Sequence, residues 1–145
     1  MREQNRLRLQ RLVDRYERRL TAAAGEDEAI FLRAFVDARE AVLRPVLREV
    51  ADELCALGHA PEVVNVEGPG VELRLGLRRA ASRRNAVGLR VIRGSGYPLQ
   101  ILAYLVLDEP PFDLERFTLA AELSAEKVEQ VVVDAVEHLI MCNAP

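Results

Sequence analysis

Apolar residues near the start of the chain recur at the spacing of one helix face. From Arg2 to Ala24 most residues are good helix formers, and the apolar positions follow at steps of four, three, four and three residues: Leu9, Val13, Tyr16, Leu20 and Ala23. This spacing predicts an amphipathic helix whose narrow apolar stripe packs on one partner helix. Gly25 is expected to end the helix, and the acidic run 26–28 to begin the next one.

A second helical pattern extends from Glu28 to Leu57. Its apolar stripe shifts at Arg44-Pro45, and proline both lacks a backbone donor and disfavours the helical conformation of the residue before it. We therefore expect either a kinked helix or a break, with Pro45 in the first turn of a third helix. Gly58 is expected to end the pattern as a left-handed residue.

Alternation of apolar and polar residues replaces the helical period in the second half of the chain, which is typical of strands with one buried face. It predicts five strands, at about residues 63–67, 71–77, 87–91, 99–107 and 117–123. The fourth is apolar on both faces, so we expect a central strand or one that is covered on both sides.

A last helix is predicted after Ser124, which is a good N-cap, and its apolar positions are broad enough to cover a sheet. The fold class is therefore α+β: a helical hairpin or long kinked helix, a five-stranded antiparallel sheet of mostly meander order, and a C-terminal helix packed on that sheet. The length favours one domain over residues 1–145, in which residues 1–58 are helical and residues 61–145 hold the sheet and the last helix.

Charge is balanced overall but segregated along the chain. With 20 basic and 23 acidic residues, the composition argues against a general polyanion binder or a membrane-surface protein. Residues 1–24 carry a net charge of +4, residues 25–58 −4, residues 59–107 +4 and residues 108–145 −7. We expect neighbouring elements to face each other with opposite sign, within the chain or across an oligomer. The Arg-rich first helix would then pair with the acidic second helix, and basic sheet turns with the acidic C-terminal segment.

The start of the chain resembles a charged helix and not a secretory signal, and no window of 18 uninterrupted apolar residues occurs. A cytoplasmic protein that does not enter membranes is expected. The strong preference of arginine over lysine is typical of a GC-rich bacterial genome, so it is not interpreted as selection for arginine chemistry.

All four Cys and His residues form two pairs spaced by four, Cys55 with His59 and His138 with Cys142. Two such pairs on helices could complete a tetrahedral zinc site. Gly58 is expected to disturb the first pair, and zinc sites more often use closer Cys-x-x-Cys spacing. The favoured interpretation is two free thiols and two helix-end histidines, with no metal and no other cofactor.

Arginines at the tip of a predicted hairpin form the best candidate for anion binding, and they flank a turn at residues 80–82: Arg78, Arg79, Arg83 and Arg84. Arginine is well suited to bidentate contacts with phosphate or carboxylate groups. No aromatic residue is interleaved with them, so the stacking expected of a single-strand binder is missing, and nucleic acid is not the expected partner. A solvated charged loop is the favoured interpretation.

No catalytic motif stands out. Residues 94–96 (Gly-Ser-Gly) lack the lysine and helix of a phosphate loop and predict a turn. The acidic, proline-rich run 108–113 predicts a stiff exposed loop suited to docking or solubility, since carboxylates in water keep ordinary pKa values.

The favoured function is a non-catalytic interaction or oligomerisation module of adaptor, chaperone or effector type. Its interaction seam would be the stripe of the first helix, Leu9, Val13, Tyr16 and Leu20, with a second copy or another protein as partner. The first alternative is anion or nucleic-acid binding through the arginine loop. The second is a small ligand-binding or enzymatic domain with a pocket between sheet and helices, using Tyr97, Tyr104 or His138.

Overall fold

The computed structural model describes residues 1–66, 68–78, 84–93 and 98–144, leaving aside the side chains at 18–24 and 26. Three α-helices and five strands follow in the order α1 (Glu3–Ala38), α2 (Arg44–Ala56), β1 (Ala60–Asn65), β2 (Val71–Gly76), β3 (Asn85–Arg93), β4 (Leu99–Leu107), β5 (Phe112–Phe117) and α3 (Ala125–Asn143). A π-helical turn, Arg39–Leu43, joins α1 to α2, and a short 3₁₀ turn, Ala120–Glu122, precedes α3.

The first two helices and the π turn between them form one continuous helical segment, so the alternative of a helical hairpin is wrong. The long kinked helix was the other alternative, and the structure shows a long helix with a π turn at Arg39–Leu43. Gly25 lies inside α1 and does not end it. The wider π turn falls directly before Pro45, which occupies the first turn of α2. This placement accommodates proline, because residues of a first turn need no internal backbone donor and a π turn relieves crowding against the preceding carbonyls.

A left-handed glycine ends α2 as expected. Gly58 has φ +91°, its N–H donates to the Cys55 carbonyl at 3.1 Å, and the His59 N–H donates to the Leu54 carbonyl at 3.1 Å. These two bonds form a Schellman motif, which satisfies the last carbonyls of the helix and turns the chain into β1.

Replacing Gly25 and Gly58 by alanine is expected to change the stability of the protein in opposite directions. Gly25→Ala should stabilise α1 by about 0.5–1 kcal/mol, because no atom lies within 4 Å of an added Cβ. Gly58→Ala should destabilise the protein by about 1–2 kcal/mol, because the left-handed conformation strains a residue with a Cβ. Far-UV circular dichroism during thermal and urea unfolding measures both, and effects of the same sign would contradict the helix assignment.

All five strands pair antiparallel in the order β1-β2-β3-β4-β5, the expected meander. The predicted fifth strand is wrong in position: β5 ends at Phe117, and the residues after it enter the 3₁₀ turn. The polar residues of 112–116 are tolerated in β5 because an edge strand has one side open to solvent. The predicted acidic loop is therefore shorter than expected and covers residues 108–111.

One face of the sheet carries the helices and the main core. Phe35, Leu43 and Leu47 of the helical segment and Leu139 of α3 are fully buried there against the alternate residues of β2, β3 and β4. The N-cap of α3 is confirmed, since the Ser124 hydroxyl accepts from the Lys127 N–H at 3.2 Å. The C-terminal helix therefore lies across the sheet as predicted.

The basic and the acidic helical patterns do not pack against each other within the chain. Residues 1–24 and the acidic residues that follow lie along the same helical segment and so cannot face each other. The expectation of a charge-matched helix pair inside one chain is therefore wrong.

Candidate interaction site

Residues 3–17, at the N-terminal end of α1, are all exposed; we call residues 3–24 the arm. Its predicted seam residues are exposed, with Leu9 at 51%, Val13 at 52% and Tyr16 at 64% of their full accessible surface. The side chain of the fourth, Leu20, lies outside the described residues. No described arm residue belongs to the hydrophobic core, which the helical segment joins only from Phe31 onward. The seam is thus an apolar stripe without a partner among the described residues.

The exposed stripe is wider than the spacing indicated. Leu12, 50% exposed, lies three residues after Leu9 and four before Tyr16, so it shares their helix face. Leu7, at 45%, lies on the opposite side of the helix, because two residues of α-helix span about 200°. Leu7 and Leu9 therefore form a matched pair of leucines, one off the seam and one on it.

A cleft of about 690 Å³ opens where α1 reaches the end of the sheet. Its walls are mainly apolar, contributed by α1, by the start of β4 and by the segment after β5: Ile30, Phe31, Ala34, Pro98, Leu99 and Leu119. Ile30 is 64% and Leu119 59% exposed, so the cleft is open to solvent. The sequence pattern does not reveal it, because that pattern places Leu119 in a strand and Ile30 in no stripe.

Two acidic residues of α1 border this cleft, Asp27 and Glu28. The Glu28 carboxylate accepts two hydrogen bonds from the Arg93 guanidinium, at 2.5 and 2.7 Å, and these bonds raise the pKa of Arg93. That bidentate pair ties α1 to the end of β3. Asp27 forms no ion pair within the described residues and leaves a negative charge at the cleft mouth.

The opposite face of the sheet carries a buried polar network that the sequence pattern also does not reveal. Glu72, Gly88 and Tyr104 stand in one row across β2, β3 and β4, and the Tyr104 hydroxyl donates to Glu72 Oε2 at 2.6 Å. Glu72 Oε1 accepts from Arg74 at 3.2 Å and from Arg84 at 3.3 Å. A Cβ on residue 88 would lie 2.6 Å from the tyrosine oxygen, so only glycine lets Tyr104 reach across β3.

This network is satisfied internally and stabilises the sheet. Glu72 is fully buried and Tyr104 is 3% exposed, while the Arg90 guanidinium lies 5.0 Å from the centre of the tyrosine ring. Burial, followed by the hydrogen bond to Glu72, raises the pKa of Tyr104. Leu102, Tyr104 and Val106 of β4 are buried on this side together with Ala86 of β3, so β4 is buried on both faces, as predicted.

The arginine-loop candidate is only partly within the described residues. Arg79 and Arg83 lie outside them, and so does the turn at 80–82. Arg78 donates its backbone N–H to His59 Nδ1 at 3.0 Å. The Arg84 guanidinium contacts Glu109 as well as Glu72, so its charge already has two acidic partners.

The four Cys and His residues are not brought together. Gly58 ends α2 between Cys55 and His59, as expected, which removes the helical spacing of that pair. His138 Nε2 and Cys142 Sγ lie 3.6 Å apart on the exposed side of α3. Among the described residues, no group of three potential ligands is close enough to hold a metal ion.

Residues proposed for a small-molecule pocket are scattered. Tyr104 lies in the polar network on the helix-free face, and Tyr97 lies outside the described residues. His138 borders a second cavity of about 420 Å³ between β5 and α3, lined also by Leu105 and Phe112. Neither Tyr104 nor His138 is among the described residues that line the cleft of about 690 Å³.

Within the portion of the chain that the structure describes, no helix is both long and apolar enough to cross a bilayer. Comparison of the chain with protein-family models, with characterised proteins and with solved structures finds no match in any of the three.

Proposed function

We propose that this protein is a non-catalytic protein–protein interaction module that self-associates through the seam of its N-terminal arm. One observation carries the proposal: Leu9, Leu12, Val13 and Tyr16 share one face of α1, and each is at least half exposed. In proteins most of the stability of a helix comes from packing its apolar face on a partner, and less comes from helix propensity. A helix with such a face, for which the described residues of its own chain provide no partner, has a physical reason to acquire one.

Charge favours a second copy of the chain as that partner. The arm segment 1–24 is strongly basic and the helical residues after it are acidic, yet both lie along one helical segment. Opposite charges that cannot meet within one chain can meet between two chains, provided the copies are offset or antiparallel. Arginines also raise the solubility of the arm before it associates.

Leu9→Asp tests this proposal, with Leu7→Asp as the matched control. Sedimentation velocity over a wide range of protein concentration should show association of the unaltered chain. Leu9→Asp should weaken it by at least about tenfold, because association would bury an unpaired carboxylate. Leu7→Asp, which places the same charge on the opposite face, should change it little.

Neither substitution touches the core, so in solution dilute enough for the unaltered chain to be monomeric both variants should retain its unfolding midpoint. A monomer at every concentration, or equal effects of the two substitutions, would contradict self-association through the seam.

A further inference from the structure

We infer that the cleft beside Asp27 and Ile30 receives the N-terminal end of a second copy's arm, so that two chains pair their α1 helices antiparallel. The inference rests on the proposed function and adds to it an acceptor site and an orientation. It concerns a surface on the folded body, whereas the proposed function concerns the arm itself.

The seam and the cleft wall lie on the same side of α1. Asp27, Phe31 and Ala34 follow Leu9, Val13 and Tyr16 by eighteen residues each, which is five turns of α-helix at about 3.6 residues per turn. A partner helix lying along the seam would therefore be directed, at one of its ends, into the cleft. The seam of the arm and the cleft therefore form one continuous, mainly apolar surface along α1.

The position of the sheet selects the antiparallel orientation. At the level of Phe31 each chain carries its own sheet on the seam side of α1, where Pro98 and Leu119 form the outer wall of the cleft. In a parallel pair both chains would bring their sheets to this level, each into the space of the partner's helix. In an antiparallel pair this level receives only the first turn of the partner's α1, which a cleft of about 690 Å³ has room for.

Charge is complementary at the same contact. The first turns of the arm carry Arg2, Arg6 and Arg8 against the single acid Glu3, and the N-terminal end of a helix is itself partly positive. The cleft mouth carries Asp27, which has no ion-pair partner among the described residues, and Glu28. An arm end entering the cleft therefore brings positive charge to the acidic side of the partner.

Chemical cross-linking between two singly labelled chains tests the orientation. In a background with Cys55→Ser and Cys142→Ser, one chain carries Leu9→Cys and the other Leu119→Cys, and a short bismaleimide is added to their mixture. The expected product joins Leu9→Cys of one chain to Leu119→Cys of the other. A dominant product joining two Leu9→Cys chains indicates parallel arms and overturns the inference, as does the absence of any mixed product.

Charge exchange provides the second measurement on full-length chains. Arg6→Glu and Asp27→Arg should each weaken association severalfold, and an equimolar mixture of the two variants should recover it through the oppositely charged contact. Asp27 and Arg6 are outside the core, so both chains should fold.

If Leu9→Asp abolishes association while Asp27→Arg and Ile30→Asp leave it unchanged, the cleft inference fails and the arm proposal stands. If the unaltered chain is monomeric throughout, both fail.

Discussion

Leu47→Ala is expected to lower the free energy of unfolding by about 2–5 kcal/mol, the cost of a large cavity in a packed core. Leu47 is fully buried in α2, where it packs with Phe35 and Leu43 against the sheet. Its removal affects the contact between the long helical segment and the sheet, on which the position of the arm depends. Urea unfolding monitored by circular dichroism measures the change.

Leu57→Ala is the matched control, because Leu57 caps the same helix and is 67% exposed. Truncation of an exposed side chain usually changes stability by less than about 0.5 kcal/mol. Equal costs for the two substitutions would mean that α2 does not pack on the sheet through the face that carries Leu47.

Glu72→Ala is expected to destabilise the protein by about 2–4 kcal/mol. The substitution leaves the buried Tyr104 hydroxyl without its acceptor, and it removes the carboxylate shared by Arg74 and Arg84. The cost stays below that of breaking a fully buried ion pair, because both arginine side chains are 48% exposed and can turn to water. Chemical denaturation provides the measurement.

Glu62→Ala separates this effect from a general loss of negative charge on the sheet. Glu62 pairs with Arg74 in the strand register and shares the helix-free face, but it is not fully buried as Glu72 is. Its replacement should change stability by less than about 0.5 kcal/mol. Glu72→Gln, which keeps an acceptor oxygen for Tyr104, should fall between the two. A Glu72→Ala protein as stable as the control would show that the network contributes nothing.

Elements with a strong local signal were predicted correctly. Residues 99–107 coincide with β4, whose apolar residues on both faces required burial on both sides. Ser124 and Gly58 act as the helix start and stop that their side-chain chemistry indicates, since N-capping and the left-handed conformation depend on the residue itself. Such features can be predicted because neighbouring residues alone determine them.

Gly25 shows where a local signal failed, and Pro45 shows where one was correct but left two outcomes open. Glycine costs only about 1 kcal/mol inside a helix, so flanking helix formers carry α1 through Gly25. Pro45 fits the start of α2 because a π turn precedes it, and no sequence pattern predicts a π turn. A hairpin therefore looked as plausible as a long helix, although only the long helix leaves the arm exposed.

The cleft and the buried network depend on contacts between distant segments of the chain. Leu119 meets α1 residues nearly ninety positions earlier, and the alternation of residues 117–123 suggested a strand although the chain turns there. Glu72 occupied a polar position of an amphipathic strand, where the pattern predicts a solvated side chain. In the sheet Glu72 is in register with Gly88 and Tyr104, and this pairing buries its side chain. The register between strands cannot be deduced from the pattern of one strand alone.

Hydrogen exchange of the arm amides, measured over a wide range of protein concentration, tests self-association most directly because it observes the arm itself. An unpaired arm gains no stability from tertiary packing, so its amides should open often and residues 7–16 should exchange rapidly in dilute solution. We predict that their protection increases with protein concentration and that Leu9→Asp abolishes the increase. Rapid exchange at every concentration, with no difference between the unaltered chain and Leu9→Asp, would contradict self-association through the arm.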